Sequence, residues 1–160
     1  MRARYLLLVA VWAAAVFGAI AVRAAHGDPG RTLTFTAPPP APRDQHQVDV
    51  PPHGLSLGDQ FVGAVSLRTH DELFGRALNI CTITDASFQG QQCAITLVLR
   101  NGQITVYGGG LDRKLPHSPP PSGADVFAVT GGTGSYAGAN GTLTIRHGRH
   151  ADVFIVALRR

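Results

Sequence analysis

Apolar and polar positions alternate along most of the chain after residue 57. The alternating stretches are 60–67, 77–84, 93–100, 104–107, 125–130, 141–146 and 152–158. A period of two is the mark of a strand, because successive side chains leave opposite faces of the backbone. Shorter candidates precede them at 31–36 (RTLTFT) and 47–50. Asn101-Gly102 separates two alternating runs and is the strongest short hairpin signal in the chain. Residues 69–75 and the proline run 116–121 have turn and loop composition. Nothing after Val22 carries a helical period. Strands at regular spacing with turn residues between them predict an all-β domain, a barrel or a sandwich.

Several of these strands are apolar on both faces. Val153, Ile155 and Ala157 share one side of the last strand, and Phe154, Val156 and Leu158 the other. Cys93, Ile95, Leu97 and Leu99 share a face, while Val98 stands among Ala94, Thr96 and Arg100. A barrel alone in water shows a polar exterior, so a two-sided pattern predicts a covered outer face. A homo-oligomer is one cover. Loops or the proline-rich arm are the other.

The N-terminus reads differently. Arg2 and Arg4 precede an apolar run at 5–22. A helix of that length reaches roughly 27 Å, enough to cross a bilayer. The run is also a signal-peptide core, with Ala24 and Ala25 as the cleavage region. Both readings place the domain outside the cytoplasm, secreted or anchored, with membrane contact only through this segment. The chain then divides into 1–25, signal or anchor; 26–52, a proline-rich arm with the candidate first strand; and 53–160, the β-domain. Proline runs such as 37–42 are extended and semi-rigid.

Charge adds little. Net charge is +4, and Arg2, Arg4 and Arg23 belong to the targeting segment, so the remainder is close to neutral. No basic stripe is interleaved with aromatics, which argues against a nucleic-acid partner.

Residues 126–145 (VFAVTGGTGSYAGANGTLTI) organise the rest. Gly132, Gly134 and Ala137 follow an apolar strand in the spacing of a dinucleotide fingerprint. That motif needs a helix after it to receive the pyrophosphate. Here two glycines and a β-branched alternation follow, so no nucleotide cofactor is expected. Gly131, Gly132 and Gly134 are read instead as a turn or a close strand approach, Tyr136 as a plug, and Gly141 as relief at a bend.

This stretch resembles the signature of the allene oxide cyclase and dirigent superfamily. Leu57-Gly58-Asp59 and 102–106 (GQITV) are similar to two further motifs of that group, and the resemblance runs from about Leu57 to Leu158. It implies an eight-stranded antiparallel barrel, commonly a trimer, holding a hydrophobic small molecule. The aromatic at Tyr136 followed by Ala137-Gly138-Ala139 is nearer the cyclase branch. Ala137 and Asn140 stand where the dirigent branch usually has arginine. The cyclase keeps an acid near its first strand, and 31–36 contains none.

Cys81 and Cys93 are the only cysteines. In an exported chain an even count reads as a disulfide. A hairpin centred on Ser87 sets the two opposite each other, within bridging distance. The seven histidines show no metal-ligand spacing. His147 and His150 lie in a glycine-containing turn and His70 at a turn tip, so they read as solvated and no metal is expected. There is no nucleophile elbow and no phosphate-loop lysine. Asp59, Arg100 and Tyr107 are the candidate pocket residues. For Asp59 the alternative is a bond to its own turn backbone.

Two functions stay open. One is an exported cyclase, isomerase or stereo-directing barrel acting on a hydrophobic small molecule. The other is a non-catalytic barrel that binds lipophilic ligands or serves as a cell-surface module. A convergent acid–base group at the interior favours the first, and an interior filled with side chains favours the second.

Overall fold

The computed structural model describes residues 30–85, 90–111 and 124–159. The apolar run at 5–22, the hairpin tip at Ser87 and the proline run at 116–121 lie outside them. Among the described residues nine antiparallel strands make one sheet: β1 (Thr32–Ala37), β2 (Gln45–Val48), β3 (Gln60–Thr69), β4 (Glu72–Asp85), β5 (Gly90–Leu99), β6 (Gly102–Leu111), β7 (Ala124–Gly132), β8 (Asn140–Arg146) and β9 (Asp152–Arg159). From β3 to β9 each strand pairs with the next, and β9 pairs with β1. A single register, Thr36 opposite Arg68, closes β1 on β3 and makes an eight-stranded barrel. Closure removes the unpaired edges that an open sheet would present.

The short strand β2 is not a ninth stave. It runs beside the first part of β3, Gln45 opposite Gly63, while β1 meets the end of β3. The two occupy one lane, interrupted by the prolines and a 3-10 turn at Pro42–Asp44. Proline lacks the amide that a continuous strand would donate, so the break falls there.

β4, β5 and β6 reach beyond the ends that their alternation predicts. β4 starts at Glu72 because the turn from β3 is only two residues, His70 and Asp71, both with positive φ. That is the conformation of a tight hairpin turn, and it lets pairing run to the tip. β5 starts at Gly90 and β6 runs on to Leu111, since Gly108, Gly109 and Gly110 pair through their backbones with Cys93, Gln92 and Gln91. Glycine contributes no alternation to read.

Inward positions fill the barrel. Leu67, Leu97, Ile104, Leu143 and Val156 are fully buried, and Phe35, Ile95, Val106, Phe127, Val129, Ile145 and Phe154 pack with them in one core. Cutting one of the large aliphatic residues to Ala costs about 2–5 kcal/mol in such a setting.

The glycine stretch braces one end. A 3-10 turn at Gly134–Tyr136 follows β7, and β8 follows directly, so no helix stands after the glycines. The loop docks on the β5–β6 hairpin. Thr133 N donates to Gln103 O and Ser135 N to Asn101 O, each at 2.8 Å, and Gln103 N donates to the Thr133 hydroxyl at 3.1 Å. A Cβ at Gly132 would strike the carbonyls of Tyr136 and Gln103, and Gly134 has a φ of 59°. These two glycines permit a close approach of backbones.

The outer surface carries a belt without charge. In register across the wall it reads Val62, Ile80, Ala94, Tyr107, Ala128, Thr142 and Ala157.

Candidate functional site at a barrel mouth

Inward register continues past the core at the end where β6 and β8 finish. On β7 the inward positions are Val129, Phe127 and Asp125; on β9 they are Val156, Phe154 and Asp152. His147 follows β8 two residues beyond the inward Ile145. Three polar side chains thus stand at the mouth, one layer above an apolar floor of Phe127, Ile145 and Phe154.

They converge. His147 Nε2 lies 2.9 Å from Asp125 Oδ2, and Nδ1 lies 3.2 Å from Asp152 Oδ2. The second carboxylate is oriented in turn, since Gly148 N donates to Asp152 Oδ1 at 3.2 Å. A neutral imidazole can donate from one nitrogen only, whereas the protonated ring donates from both and satisfies both carboxylates. The side chains are only about two-thirds buried, 36–39% exposed, so solvent screens the pairs and reaches the ring.

The wall beside this trio is built from small residues. Gly108 and Gly110 occupy inward positions of β6, and Ala37 pairs with Asp152. Among the described residues nothing stands within 4 Å of where a Gly110 Cβ would project. Phe61, Cys81, Cys93 and Gly108 form one inward register around the wall. Phe61 is exposed although it faces inward. The mouth is therefore a polar rim over an aromatic and aliphatic interior.

Cys81 and Cys93 are bonded across β4 and β5, with Cα atoms 4.0 Å apart. A disulfide is the chemistry of an oxidising compartment, outside the cytoplasm. No helix among the described residues is long and apolar enough to cross a membrane.

The three pocket residues expected from the sequence do not come together. Asp59 is fully buried, but its carboxylate faces a loop. Oδ1 accepts Val50 N at 2.9 Å and the Ser56 hydroxyl at 3.2 Å, and Oδ2 accepts Ser56 N at 2.9 Å. The Ser56 amide, and after it the Val50 amide, hold this carboxyl below the usual carboxylate range. Arg100 is at the far end, where Nη2 donates to Leu73 O at 2.8 Å and the guanidinium stands 5.5 Å from the centroid of the Phe74 ring. Tyr107 is 52% exposed, on the outer belt. The trio was missed because its members lie in three separate turns and strand ends; only the β7–β8–β9 register unites them. An inward parity count from Phe127, Ile145 and Phe154 is the signal that finds it.

Among the described residues no group of three or more His, Cys, Asp or Glu side chains is arranged to hold a metal ion.

No protein-family model and no curated protein matches the sequence. Solved structures do share the fold. A pyocyanin demethylase superposes with a TM-score of 0.63 at 23% identity, over 80% of this chain and 99% of its own. A pterocarpan synthase dirigent protein gives 0.60 at 15% identity, over 81% of this chain and 82% of its own. An exo-specific intermolecular Diels-Alderase gives 0.60 at 15% identity, over 83% and 100%. All are barrels of the type related to allene oxide cyclases and dirigent proteins.

Proposed function

We propose that this chain is an exported barrel of the allene oxide cyclase and dirigent type. It takes a hydrophobic small molecule at the mouth closed by His147 and acts on it as a cyclase or isomerase, or steers its stereochemistry. The observation that carries this reading is the Asp125–His147–Asp152 trio standing over an apolar floor. A substrate that displaces one carboxylate from a ring nitrogen of His147 would meet that nitrogen and the displaced carboxylate as a proton donor and acceptor pair. The aromatic floor excludes water and fixes the substrate's apolar body. The fold shared with a dirigent protein and a Diels-Alderase supports the reaction class. The disulfide and the signal-like N-terminus support export. The uncharged outer belt supports a homo-oligomer, a trimer by resemblance.

The test is turnover of a panel of apolar epoxides, dienes and prochiral phenols by wild type and His147→Asn. Loss of a general acid lowers the rate about 10²–10⁴-fold. Equal rates in the two proteins sink the catalytic assignment. A second reading, a binding barrel without catalysis, is favoured by the fully buried residues that fill the middle of the barrel. It predicts binding of apolar probes with no turnover of any panel member.

A further inference from the structure

The opposite end of the barrel holds a concavity of about 300 Å³ beside the glycine loop. Its wall includes Arg31, Ser135, Tyr136, Asn140, Leu158 and Arg159, and among the described residues no carboxylate lines it. Arg31 stands opposite Leu158, the residue before Arg159, and both arginines line the concavity. Leu158 N donates to Arg31 O at 2.9 Å, and Arg159 pairs with Asn140. Arg31 leaves the inward side of its strand and sits 5.7 Å from the centroid of the Tyr136 ring that plugs this end. Among the described residues neither arginine has a carboxylate partner, whereas Arg76 has Asp44 and Arg100 has Glu72. Gly138, at a φ of 74°, leaves open space on the cleft's floor.

We propose that this cleft binds a phosphate-type oxyanion between Arg31 and Arg159. Each guanidinium presents five donors, and Ser135 and Asn140 line the same wall. That is more than the two oxygens of one carboxylate accept, and a phosphate group takes more. Arginine rather than lysine suits this role because its planar fork bonds two oxygens at once.

Two sources offer that chemistry. β1 begins and β9 ends at this end, so the segment bearing the apolar run at 5–22 joins the barrel here. A retained anchor would set the cleft against lipid headgroups. A free phosphate or a phosphorylated small molecule would reach it from solution.

The experiment uses the full chain in two arms. Inorganic phosphate is titrated by amide NMR, reading residues 135–140. In parallel, the chain is sedimented with phosphatidylcholine vesicles and with vesicles containing phosphatidylglycerol. Wild type, Arg31→Gln/Arg159→Gln, Arg31→Lys/Arg159→Lys and His147→Asn are compared, each with its thermal midpoint.

Saturable phosphate binding is expected, weakened about tenfold or more per arginine removed. The double lysine variant keeps part of it, and His147→Asn keeps all of it. If the double glutamine variant also loses the preference for anionic over neutral vesicles, lipid phosphate is the source. If arginine-dependent binding is seen for inorganic phosphate alone, the source is soluble. The proposal is overturned if neither probe binds saturably, or if the glutamine variant binds as wild type does. Should that variant not fold, Arg159→Gln alone, on an exposed residue at the end of β9, decides in the same way.

Discussion

Asp59 accepts the amide of Val50, nine residues earlier, at 2.9 Å, and so closes the loop that leads into β3. The same carboxylate takes the Ser56 amide, and Asp59's own backbone holds Ile83 on β4, Ile83 N donating to Asp59 O at 2.8 Å. One buried anion thus joins the incoming loop to the barrel wall.

A pH dependence follows. The amides of Ser56 and Val50 lower this carboxyl's folded pKa. A lowered folded value gives stability that is present above the unfolded value, about 3.9, and is lost as pH falls through the folded one. Thermal midpoints of wild type and Asp59→Asn should therefore differ by several degrees at pH 7. The gap should narrow below about pH 4. A gap that is constant with pH contradicts the assignment.

The Cys81–Cys93 bond closes a separation of 12 residues. In the chain-entropy model this stabilises by ~3 kcal/mol, so reduction should lower stability by about that amount in urea titration. Alkylation before reduction, read by intact mass, should add nothing; two adducts would remove the bond from the account.

Tyr136 is 3% exposed, and among the described residues its hydroxyl has no hydrogen-bond partner. An unsatisfied buried hydroxyl costs about 1–3 kcal/mol, so Tyr136→Phe should be neutral or stabilising. Tyr136→Ala, which empties the plug, should cost about 3–5 kcal/mol. A Phe variant less stable than wild type would mean that the hydroxyl has a partner in solution.

The strands were legible because burial on alternate positions leaves a direct trace in the sequence. The glycine loop was legible as a turn for a related reason: no helix could form across Gly138 to Gly141. What stayed hidden was whatever depends on register. The pattern marks a short strand at 47–50 where β2 spans Gln45–Val48, but its pairing with β3 is a property of the partner strand. Gly108 to Gly110 looked like a strand's end, since glycine has no side chain to alternate. His147 looked solvated, because its two carboxylates lie 22 and 5 residues away along the chain. Asp59 stood out in sequence for the same turn geometry that now occupies its oxygens.

The mouth beside His147 is expected to admit an apolar molecule. Gly110 tests this at one position, because no described atom lies within 4 Å of where its Cβ would project and a bulky inward side chain there would occupy the mouth. The measurement is a fluorescence titration of the full chain with a neutral apolar probe, N-phenyl-1-naphthylamine, on wild type and Gly110→Phe. Saturable binding by wild type, weakened about tenfold or more in Gly110→Phe at an unchanged thermal midpoint, is the predicted result. Equal binding by the two proteins, or no saturable binding by wild type, would contradict it.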